Sequence, residues 1–382
     1  MAKLAIALPG LGVISETFLQ KQVNELLPLE TCIISETRKK PFCGNWGCTH
    51  PQLIMDELTL TTDPGLYSKI RSKMRRLAGL DDGSAKTKTI AAFLSEQEVK
   101  VFLGEYLDFS LYYLPICKGL GIRFFAHAHG YDVSSRLKSS FWVKKYLLLN
   151  QADGIITMSE FSKLKLQDAG ITAPIHVIPY GVYPFTHRKL EITANDKVVF
   201  LFSGRFVAKK APFIVLRSFF IATKLVDNIK LIMIGAGELW ESVKNECIRL
   251  NLTEMVEFTG ALPNEKVLEI MSISDVYVQH SMVCPDTGDM EGLPVAILEA
   301  MASGLPIVST IHSGIPEAIT DNLNGFLVDE GDFEAMAERM VYLAQNPELR
   351  NKMRHENQKK VTEKYLWKTE RSRLLQVLGL TE

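Results

Sequence analysis

Short apolar runs alternate with longer mixed stretches along the first half of the chain. Runs of apolar side chains bounded by turn residues predict β-strands, and stretches with apolar residues every three or four positions predict helices. The predicted strands are Leu4–Leu8, Thr31–Ser35, Val99–Leu103, Arg123–His127, Gly154–Met158 and, with a turn at its end, His176–Val182; the predicted helices are Ser15–Leu27 and Ser159–Ala169. This alternation indicates a parallel sheet wrapped by helices.

A second alternation begins at Lys197, after the polar stretch Tyr183–Asn195, which lacks periodicity and is interpreted as a linker. The predicted strands are Val198–Ser203, Lys230–Ile234, Val256–Thr259, Asp275–Gln279, Leu305–Thr310 and Gly325–Val328, with helices at Pro212–Thr223, Leu239–Asn251, Asn264–Ser272 and Val295–Ser303. From Phe333 to Leu380 the pattern is helical, with a break near Asn346 and Pro347. The sequence therefore predicts an α/β protein with two doubly wound domains, residues 1–190 and 191–360, and a helical tail, residues 361–382.

The composition is that of a globular protein with two domains. The chain has 382 residues, of which 47% are hydrophobic and 23% are charged. Its net charge of −1 gives no reason to expect a nucleic-acid partner. Residues 1–190 carry 23 Lys and Arg against 17 Asp and Glu, whereas the rest carry 20 against 27. The basic first half indicates either contact with an anionic membrane or acceptor, or a solvated surface with a chance imbalance.

Neither a secretory signal nor a membrane span is predicted. The apolar run of the first strand is too short for a signal peptide, and no uninterrupted apolar run reaches the roughly 18 residues that a membrane span requires. The six cysteines are scattered and imply no disulfide framework in a chain of this size. The expected location is the cytoplasm. If the basic half binds lipid, the protein is expected at the inner face of the cytoplasmic membrane.

Two glutamates eight residues apart, Glu291 and Glu299, flank a run of apolar residues. The pattern of Val295–Met301 is apolar on nearly all sides and predicts a buried helix. Glu299 inside this helix needs a partner, because burial of a free carboxylate is costly. With Glu291 just before the N-terminus of the helix, the two glutamates could hold two ends of one polar ligand.

The turn between these glutamates is suited to an anion. Gly292, Leu293 and Pro294 precede the predicted helix, and backbone N–H groups at a helix N-terminus attract negative charge. Since Pro294 has no N–H, the predicted donors are those of Leu293 and Val295.

This segment is similar to the Glu-x7-Glu motif of retaining glycosyltransferases of the GT-B type, in particular of the large family 4. The strand Leu305–Thr310 and the turn Ser313–Glu317 continue the resemblance. It implies a GT-B architecture, in which two Rossmann-like domains face a cleft and the last helix crosses back to the first domain. It also implies that Glu291 and Gly292 contact the donor sugar, and that Glu299 holds the ribose of the nucleotide.

A basic loop between a predicted strand and a predicted helix, Ser203–Lys210, is suited to phosphate. Arginine offers a planar fork and lysine a point charge, and loops after strand ends in doubly wound sheets commonly bind phosphates. The loop resembles the Gly-Arg…Lys element of the family, which implies that Gly204, Arg205 and Lys210 hold the donor pyrophosphate. The alternative is a surface loop with solvated charges, and Ala211 stands where the family often has glycine.

Two further loops of the second half resemble donor-binding elements of the family. Gly235, which follows a strand in Gly235-Ala236-Gly237, matches the nucleotide-side Gly-x-Gly loop, although a tight turn that requires glycine explains it equally well. Leu262 matches the segment whose backbone contacts the base.

In the first half, His129 belongs to a His-Gly-x-Asp sequence that resembles an element of the family. The resemblance implies that His129 packs against the reacting sugar and donates, from its ring or its backbone, near the leaving group. His127, inside the predicted strand, is interpreted as a core histidine. Asp132 either contacts the acceptor or caps the next turn.

The loop after the first strand contains Gly10 and Gly12. A dinucleotide-binding fingerprint would have a third glycine where Ser15 stands, although Glu36 has the spacing of a ribose-binding acid. A dehydrogenase is therefore an alternative from this end of the chain, but the second half contains nothing that a dehydrogenase needs. The resemblance implies instead that these glycines let the backbone approach the donor phosphates and the acceptor.

Cys43 and Cys48, with His50 nearby, are a partial match to a metal site. The spacing is loose and a fourth ligand is not evident, so no metal is expected. The alternative is an acceptor-side loop in which Trp46 stacks on a sugar.

Two stretches, Lys69–Leu77 and Arg136–Leu149, mix cations with apolar side chains. Such faces suit an anionic membrane surface, and they equally suit helices with one buried and one solvated face.

Two segments, Asp286–Glu291 and Val13–Phe18, resemble the subgroup of the family that builds bacterial exopolysaccharides, colanic-acid-like polymers or O-antigen repeats. The expected activity is retaining transfer of a hexose from a UDP-sugar, or alternatively a GDP-sugar, to a glycan or lipid-linked acceptor, without a metal or another cofactor. The expected catalytic residues are His129, Arg205, Lys210 and Glu291. A nucleotide-sugar epimerase or hydrolase, and a non-catalytic scaffold of the same architecture, are the alternatives.

Overall fold

Two parallel sheets form the centres of two domains in the computed structural model, which describes residues 2–13, 16–37, 46–55, 84–184 and 197–380. The strands of the first sheet are β1 Leu4–Gly10, β2 Thr31–Thr37, β3 Gln52–Ile54, β4 Val101–Glu105, β5 Arg123–His127, β6 Gly154–Thr157 and β7 Ile175–Val177. Their order across the sheet is β3-β2-β1-β4-β5-β6-β7, and every pair is parallel. The central strands are buried on both faces, which explains why they are continuous apolar runs.

The first domain has helices on both faces of this sheet. They are α1 Thr17–Glu25, α2 Ser84–Glu96, α3 Leu107–Ser110, α4 Leu114–Leu120, α5 Ser140–Tyr146 and α6 Glu160–Asp168. Helix α6 begins after Ser159, whose hydroxyl accepts a hydrogen bond from the amide of Ser162 at 3.2 Å. Helix α4 ends at Gly121, which has a left-handed φ of 68° that glycine adopts at low cost. Both of these helix ends follow from local sequence.

The second sheet has six parallel strands. They are β8 Val198–Ser203, β9 Ile229–Ile234, β10 Val256–Gly260, β11 Val276–Val278, β12 Ile307–Thr310 and β13 Gly325–Val328, in the spatial order β10-β9-β8-β11-β12-β13. The helices around it are α7 Pro212–Ala222, α8 Trp240–Arg249, α9 Asn264–Ile273, α10 Val295–Ala302, α11 Ile315–Ala318 and α12 Phe333–Gln345. The domain therefore repeats the doubly wound plan of the first.

Each sheet reverses its strand order at one point, between β1 and β4 in the first domain and between β8 and β11 in the second. In open α/β sheets, ligands bind in the crevice outside the carboxyl ends of the strands at such a point. The two crevices face each other. A Cβ placed on Gly130, in the loop after β5, would lie 2.7 Å from the carbonyl oxygen of Met290, in the loop before α10. A cleft between the domains therefore joins both switch points.

The last two helices, α13 Pro347–Lys364 and α14 Trp367–Leu378, connect the second domain to the first. Between them, the backbone of Val182 donates to Tyr365 at 2.8 Å and accepts from Trp367 at 2.9 Å, so the two connections between the domains run side by side. Three leucines of α14 are buried in the core that contains β1: Leu374, Leu375 and Leu378.

The structure confirms the α/β class, the two parallel sheets and the helical end of the chain. Each predicted strand is present, although His176–Val182 shortens to β7 and Asp275–Gln279 shortens to β11. Strand β3 and helices α2, α3, α4 and α11 were not predicted, because β3 has three residues and these helices carry weak or short apolar patterns. Helix α5 lies within Arg136–Leu149, for which a helix with one buried face was one of two alternatives. The predicted helix start at Ser15 and most of the predicted linker, from residue 185 onward, lie outside the described residues.

The cysteines that the structure describes are buried. Five cysteines placed by the structure are buried free thiols: Cys32, Cys48, Cys117, Cys247 and Cys284. Burial raises the pKa of Cys32 and Cys117 to about 12, which makes these two thiols inert at neutral pH.

Across the described residues, the structure contains no helix with the length and apolar character that a membrane crossing requires.

Candidate functional site

Lys210 and Glu291 lie at the centre of the cleft on the side of the second domain. Lys210 follows β8 and Glu291 precedes α10, so both lie at the carboxyl edge of the second sheet. Lys210 Nζ is 3.0 Å from Glu291 Oε2, and Lys209 Nζ is 3.5 Å from Glu291 Oε1. Lys209 Nζ also lies 2.9 Å from Asp289 Oδ2. Because the side chains of both lysines are only 10% exposed, these four groups form a largely buried charge cluster.

Burial and neighbouring charges act in opposite directions on Glu291. Burial raises the pKa of its carboxyl group, but Lys210 and Lys209 outweigh burial and lower that pKa to about 2. Burial lowers the pKa of Lys210, and the carboxylate of Glu291 partly offsets this effect. Glu291 is therefore ionised at neutral pH, with two ammonium groups already positioned around it.

The backbone of Glu291 is fixed by a histidine. Its N–H donates to His312 Nε2 at 3.1 Å, and His312 Nδ1 lies 2.6 Å from Glu330 Oε1. Because Nε2 accepts, the ring proton is on Nδ1 and is donated to Glu330. Glu330 also accepts from the backbone N–H of Val283 at 2.8 Å. These contacts hold the loop before α10 in one position.

Helix α10 begins directly after this loop, with Pro294 as its N-cap. Among the residues that the structure describes, none accepts a hydrogen bond from the N–H of Leu293 or Val295. A Cβ placed on Gly292 would lie 2.7 Å from the sulfur of Met158, so a larger residue there would have to displace this side chain of the first domain. Open N–H groups and the helix dipole make this turn suitable for an anion.

Arg205 is exposed at the same edge of the second sheet. Its positive charge contributes to the low pKa of Glu291, and it opposes the raised pKa of Glu16 across the cleft. The guanidinium group is thus near both walls and free to meet a ligand.

Gly235, close to Arg205, has a structural reason to be glycine. Gly204 donates from its backbone to Ile234 at 3.0 Å. Gly235 has a φ of 135°, and a Cβ there would lie 1.9 Å from the carbonyl oxygen of Gly204. The close approach of these two loops therefore accounts for Gly235 without a ligand.

Glu299 lies on α10 and has the partner that its burial requires. Its Oε1 accepts from Asn264 Nδ2, at the start of α9, at 2.9 Å. Burial raises the pKa of Glu299, and both Asn264 and Lys21 of the first domain oppose this shift. Leu262, which precedes α9, is half-buried against the same core. Glu299 therefore sits between an amide of its own domain and a cation of the other.

His129 is a buried part of the opposite wall. Its Nε2 lies 2.8 Å from Glu105 Oε2, and its Nδ1 lies 2.6 Å from Tyr180 Oη. Because the carboxylate only accepts, Nε2 carries the proton and Nδ1 accepts from the phenol. Burial lowers the pKa of His129 to about 4. The ring is therefore neutral, and both of its nitrogens are engaged inside the protein in this arrangement.

Asp132 is fully buried and accepts three internal hydrogen bonds. The donors are the N–H of His129 at 2.8 Å, the N–H of Leu107 at 3.0 Å and the hydroxyl of Tyr146 at 3.2 Å. Burial raises its pKa to about 7. These contacts fix the turn after β5 against α3, so they favour the capping interpretation of Asp132 over contact with an acceptor.

Within the described ranges, the group able to hold a metal ion is Glu105, His127 and His129, whose ligand atoms lie within 4.8 Å of one another. His127 Nδ1 is 3.2 Å from Glu105 Oε2, close enough for an ion pair but not aligned as a hydrogen bond. Burial lowers the pKa of His127, but Glu105 outweighs burial and the pKa is raised. Glu105 therefore favours the protonated form of His127, and each group offsets part of the cost of burying the other.

The other predicted residues of the first domain lie around the crevice beside β1. Gly10 ends β1, and Gly12 has a φ of 91°. Trp46 is half-buried and packs against the core beside β1, and its carbonyl accepts from Asn24 at 2.8 Å. Cys43 and the basic stretch Lys69–Leu77 lie outside the described residues.

Hydrogen bonds across the cleft hold the domains together. The N–H of Met290 donates to Ser134 Oγ at 3.1 Å. Glu317 of α11 accepts from the N–H groups of Glu160 and Phe161, at the first turn of α6, at 3.0 and 3.1 Å. A carboxylate at a helix N-terminus is favourable because it meets open donors and the positive end of the dipole. The loop before α10 and helix α11 therefore both dock on the first domain.

Sequence reasoning missed several residues of the cleft, because their partners are distant along the chain. Lys209 and Asp289 contact each other across eighty positions of sequence. The available signal was a pair of adjacent lysines together with a pair of acids two positions apart, which complement each other in charge. The further residues that only the structure brings together are Glu16, Lys21, Glu105, Tyr106 and Tyr180.

Solved structures with this arrangement of two domains define the class. HepE of Anabaena, in complex with UDP-glucose, superposes with a TM-score of 0.77 at 16% identity and covers 98% of this chain and 99% of that chain. The lipopolysaccharide outer core galactosyltransferase WaaB superposes with a TM-score of 0.67 at 18% identity, over 98% and 99% of the two chains. The fold is therefore GT-B.

Two family models match adjacent parts of the sequence. Residues 86–184 match the model described as Glycosyltransferase Family 4, and residues 185–360 match the model described as Glycosyl transferases group 1. The two matches run together without a gap. The chain belongs to the group 1 glycosyltransferases.

Curated relatives agree with this family. The amylovoran biosynthesis glycosyltransferase AmsK of Erwinia amylovora is 33% identical over 220 residues, which are 57% of this chain and 54% of the relative. WcaL of Escherichia coli, described as a putative colanic acid biosynthesis glycosyltransferase, is 30% identical over 221 residues, which are 57% and 54%. A GDP-mannose-dependent mannosyltransferase of Mycolicibacterium smegmatis is 25% identical over 279 residues, 69% and 72%. The chain spans about half the length of AmsK and WcaL.

Proposed function

We propose that the chain is a retaining glycosyltransferase that moves a hexose from a nucleoside diphosphate sugar to a glycan or lipid-linked acceptor. The observation that carries the proposal is the buried cluster of Lys209, Lys210 and Glu291 beside the N-terminus of α10. Cations and open N–H groups suit a diphosphate, and a carboxylate among them suits the hydroxyl groups of a sugar. One ligand that carries both groups is a nucleotide sugar.

The chemistry follows from where charge develops. As the bond between the sugar C1 and the phosphate oxygen breaks, the sugar becomes oxocarbenium-like and the diphosphate leaving group gains negative charge. Arg205, Lys210 and the N–H groups of Leu293 and Val295 stabilise that charge, and preorganised donors of this kind are often the largest catalytic contribution. The same groups do the work that a divalent ion does in other transferases, so no metal is required.

The acceptor completes the reaction from the side of the leaving group. Its hydroxyl oxygen forms the new bond to C1, and its proton passes to an oxygen of the departing phosphate. Glu291 binds sugar hydroxyls during this change, and Glu299 binds the ribose. His129 contributes a neutral, fixed surface beside the reacting sugar. Closure of the cleft around the substrates excludes water, which would otherwise compete with the acceptor.

The names of the relatives support a class of donor and a cellular role. HepE was solved with UDP-glucose and the mycobacterial relative is GDP-mannose-dependent, so a UDP-sugar is the favoured donor and a GDP-sugar the alternative. AmsK and WcaL are named for amylovoran and colanic acid synthesis, which supports a role in making a cell-surface polysaccharide.

We also place the enzyme in the cytoplasm, in peripheral contact with an anionic membrane. Helix α5 and the turn after it expose both apolar and cationic side chains. The exposed residues are Phe141, Lys144, Lys145, Leu147 and Leu148. A face of this composition suits the headgroup region of an anionic leaflet, where lipid-linked acceptors are found.

A donor screen tests the proposal. The purified chain is mixed with a panel of UDP- and GDP-sugars, with and without lipid-linked and free glycan acceptors, and the release of nucleoside diphosphate and the thermal shift are measured. Release that requires both donor and acceptor supports a transferase. Release or conversion of the donor alone would identify a hydrolase or an epimerase. The absence of both donor binding and release would identify a non-catalytic scaffold.

A further inference from the structure

The crevice of the first domain carries a carboxylate and a phenol that the donor site does not use. Glu16 follows β1 and precedes α1, and Tyr106 follows β4 directly. Since the strand order reverses between β1 and β4, both side chains lie where an open α/β sheet binds its ligand. The hydroxyl of Tyr106 donates to Glu16 Oε1 at 2.7 Å.

Tyr106 is held in a strained backbone conformation. Its φ is 68° and its ψ is 127°, in a region that bulky residues rarely adopt. Its N–H donates to the carbonyl of His127 at 3.0 Å, and its carbonyl accepts from the hydroxyl of Ser110 at 2.6 Å. Its ring centroid lies 4.4 Å from that of His129. Strain that the surrounding structure maintains in this way is typical of functional sites, and here it directs the phenol at Glu16.

Glu16 is available to a ligand. It occupies the N-cap position of α1, but its side chain makes no cap hydrogen bond. Within the described residues, only Tyr106 donates to its carboxylate, and it donates to Oε1. Burial raises the pKa of Glu16, against the hydrogen bond from Tyr106 and the charge of Arg205. Its second oxygen, Oε2, therefore has no donor among the described residues, and it is not one of the fully buried unpaired atoms.

The charge of this crevice identifies what it can bind. Residues 1–190 are basic as a whole, but the carboxylate that this crevice offers is that of Glu16, because Glu105 and Asp132 are buried and already accept hydrogen bonds from His129. Carboxylates accept hydrogen bonds from hydroxyl groups and repel phosphate. The donor diphosphate matches the cations of the opposite wall, so the group left for this wall is the hydroxyl-bearing end of the second substrate.

We propose that Glu16, positioned by Tyr106, binds hydroxyl groups of the acceptor, and that the reacting end of the acceptor is a neutral sugar. This inference rests on the proposed transferase function. The neutral sugar is either part of a free oligosaccharide or the terminal residue of a lipid-linked one, and the crevice recognises the same hydroxyl groups in both. A lipid phosphate that carries no sugar does not fit this wall.

Initial rates with the full chain test the proposal. The acceptor is varied at saturating donor for the wild type, Glu16→Gln and Tyr106→Phe. Glu30→Gln is the matched control, because Glu30 is a partly exposed acid of the same domain that pairs with Lys3. The acceptors are neutral oligosaccharides, the same sugars on a lipid diphosphate, and a lipid phosphate without sugar. Loss of a hydrogen bond to a charged group predicts a KM for acceptor raised roughly tenfold in Glu16→Gln, with a smaller effect on kcat. Tyr106→Phe shifts KM in the same direction by less.

Three outcomes separate this inference from the proposed function. An unchanged acceptor KM in Glu16→Gln, or use of the sugar-free lipid phosphate by the wild type, overturns the inference alone. The affinity for UDP and GDP is measured in parallel and is expected to be the same in both variants and the wild type. If Glu16→Gln does not fold, Tyr106→Phe, which removes one oxygen, decides the question. No release of nucleoside diphosphate by the wild type with any donor overturns the proposed function itself.

Discussion

The ammonium group of Lys210 lies 3.0 Å from the carboxylate of Glu291, inside a cleft lined by both domains. Each group compensates for the burial of the other, because an isolated buried charge is far more costly than a paired one. A nucleotide sugar would bring phosphates to the lysine and hydroxyls to the glutamate, so both groups gain a partner without a change of position. The side chains of this cleft are thus already arranged for the proposed nucleotide sugar, and substitutions in it need a parallel measurement of stability.

Arg205→Ala is expected to reduce transfer without affecting the fold. The side chain is exposed, so its loss leaves no buried charge unpaired, but it removes a donor to the leaving group. By analogy with other preorganised donors, the transition state should lose about 2–4 kcal/mol of stabilisation. Steady-state kinetics and thermal unfolding measure the two effects. Arg217→Ala is the matched control, because Arg217 is an exposed arginine on α7 that pairs with Glu246. Near-wild-type turnover at saturating donor would contradict the proposal that Arg205 binds the donor pyrophosphate.

Substitutions of Glu299 and Glu291, the two glutamates of the α10 segment, should affect different kinetic parameters. Glu299→Gln is expected to weaken nucleotide binding with little change in kcat, because the ribose is held equally in the ground state and the transition state. Glu291→Gln is expected to lower kcat, because its contacts must follow the sugar ring as its charge changes. Calorimetry with UDP and GDP, together with initial rates, measures both effects. Wild-type affinity for the nucleotide in Glu299→Gln would show that the ribose assignment is wrong.

The acid stability of the protein should depend on Glu291. Its pKa of about 2 in the folded protein is below the ordinary value of 4.5, so the carboxylate stabilises the fold above about pH 4.5 and loses this effect as the pH falls toward 2. The difference is at most about 3 kcal/mol. In Glu291→Gln, the free energy of unfolding should therefore fall less steeply than in the wild type between pH 4.5 and the acid limit. Chemical denaturation across this range measures the slope. Equal slopes would mean that the lysines do not stabilise the carboxylate.

The proposed membrane contact predicts salt-sensitive binding to anionic vesicles. Surface attraction of this kind contributes about 1 kcal/mol per cation and decays within about 8 Å at physiological salt. The double variant Lys144→Gln, Lys145→Gln should co-sediment less with these vesicles at low salt. Adding Arg75→Gln and Arg76→Gln to this variant tests the basic stretch that lies outside the described residues. Lys224→Gln, an exposed lysine of the second domain, is the control. Failure of the wild type to bind anionic vesicles at low salt would favour a soluble acceptor.

Much of the architecture could be predicted from sequence, because its signals are local. The buried strands are apolar runs, and helix α10 follows from the unbroken apolar pattern around Glu299. The partner of Glu299 could not be predicted, because Asn264 lies 35 residues away. The same holds for Glu16 and Tyr106, which are 90 residues apart. Long-range pairs of this kind depend on strand order, and the order of a parallel sheet leaves little trace in the chain.

The role of His129 shows a second limit. Its sequence context indicated a residue near the reacting sugar, and the structure places it in the wall of the cleft. The sequence did not indicate that Glu105 and Tyr180 occupy both ring nitrogens. Whether a ring nitrogen is free depends on side chains from other strands, so a motif alone does not establish a donor.

The binding of UDP and GDP in the presence of a chelator, measured by calorimetry for the wild type and Lys210→Met, tests the central claim most directly. The claim is that Lys210 and its neighbours hold the diphosphate without a metal. We expect the wild type to bind one of these nucleotides in chelator, Lys210→Met to bind it roughly tenfold or more weakly, and Lys224→Met to bind as the wild type does. Equal affinity of Lys210→Met and the wild type, or wild-type binding that appears only when magnesium or manganese is added, would contradict the account.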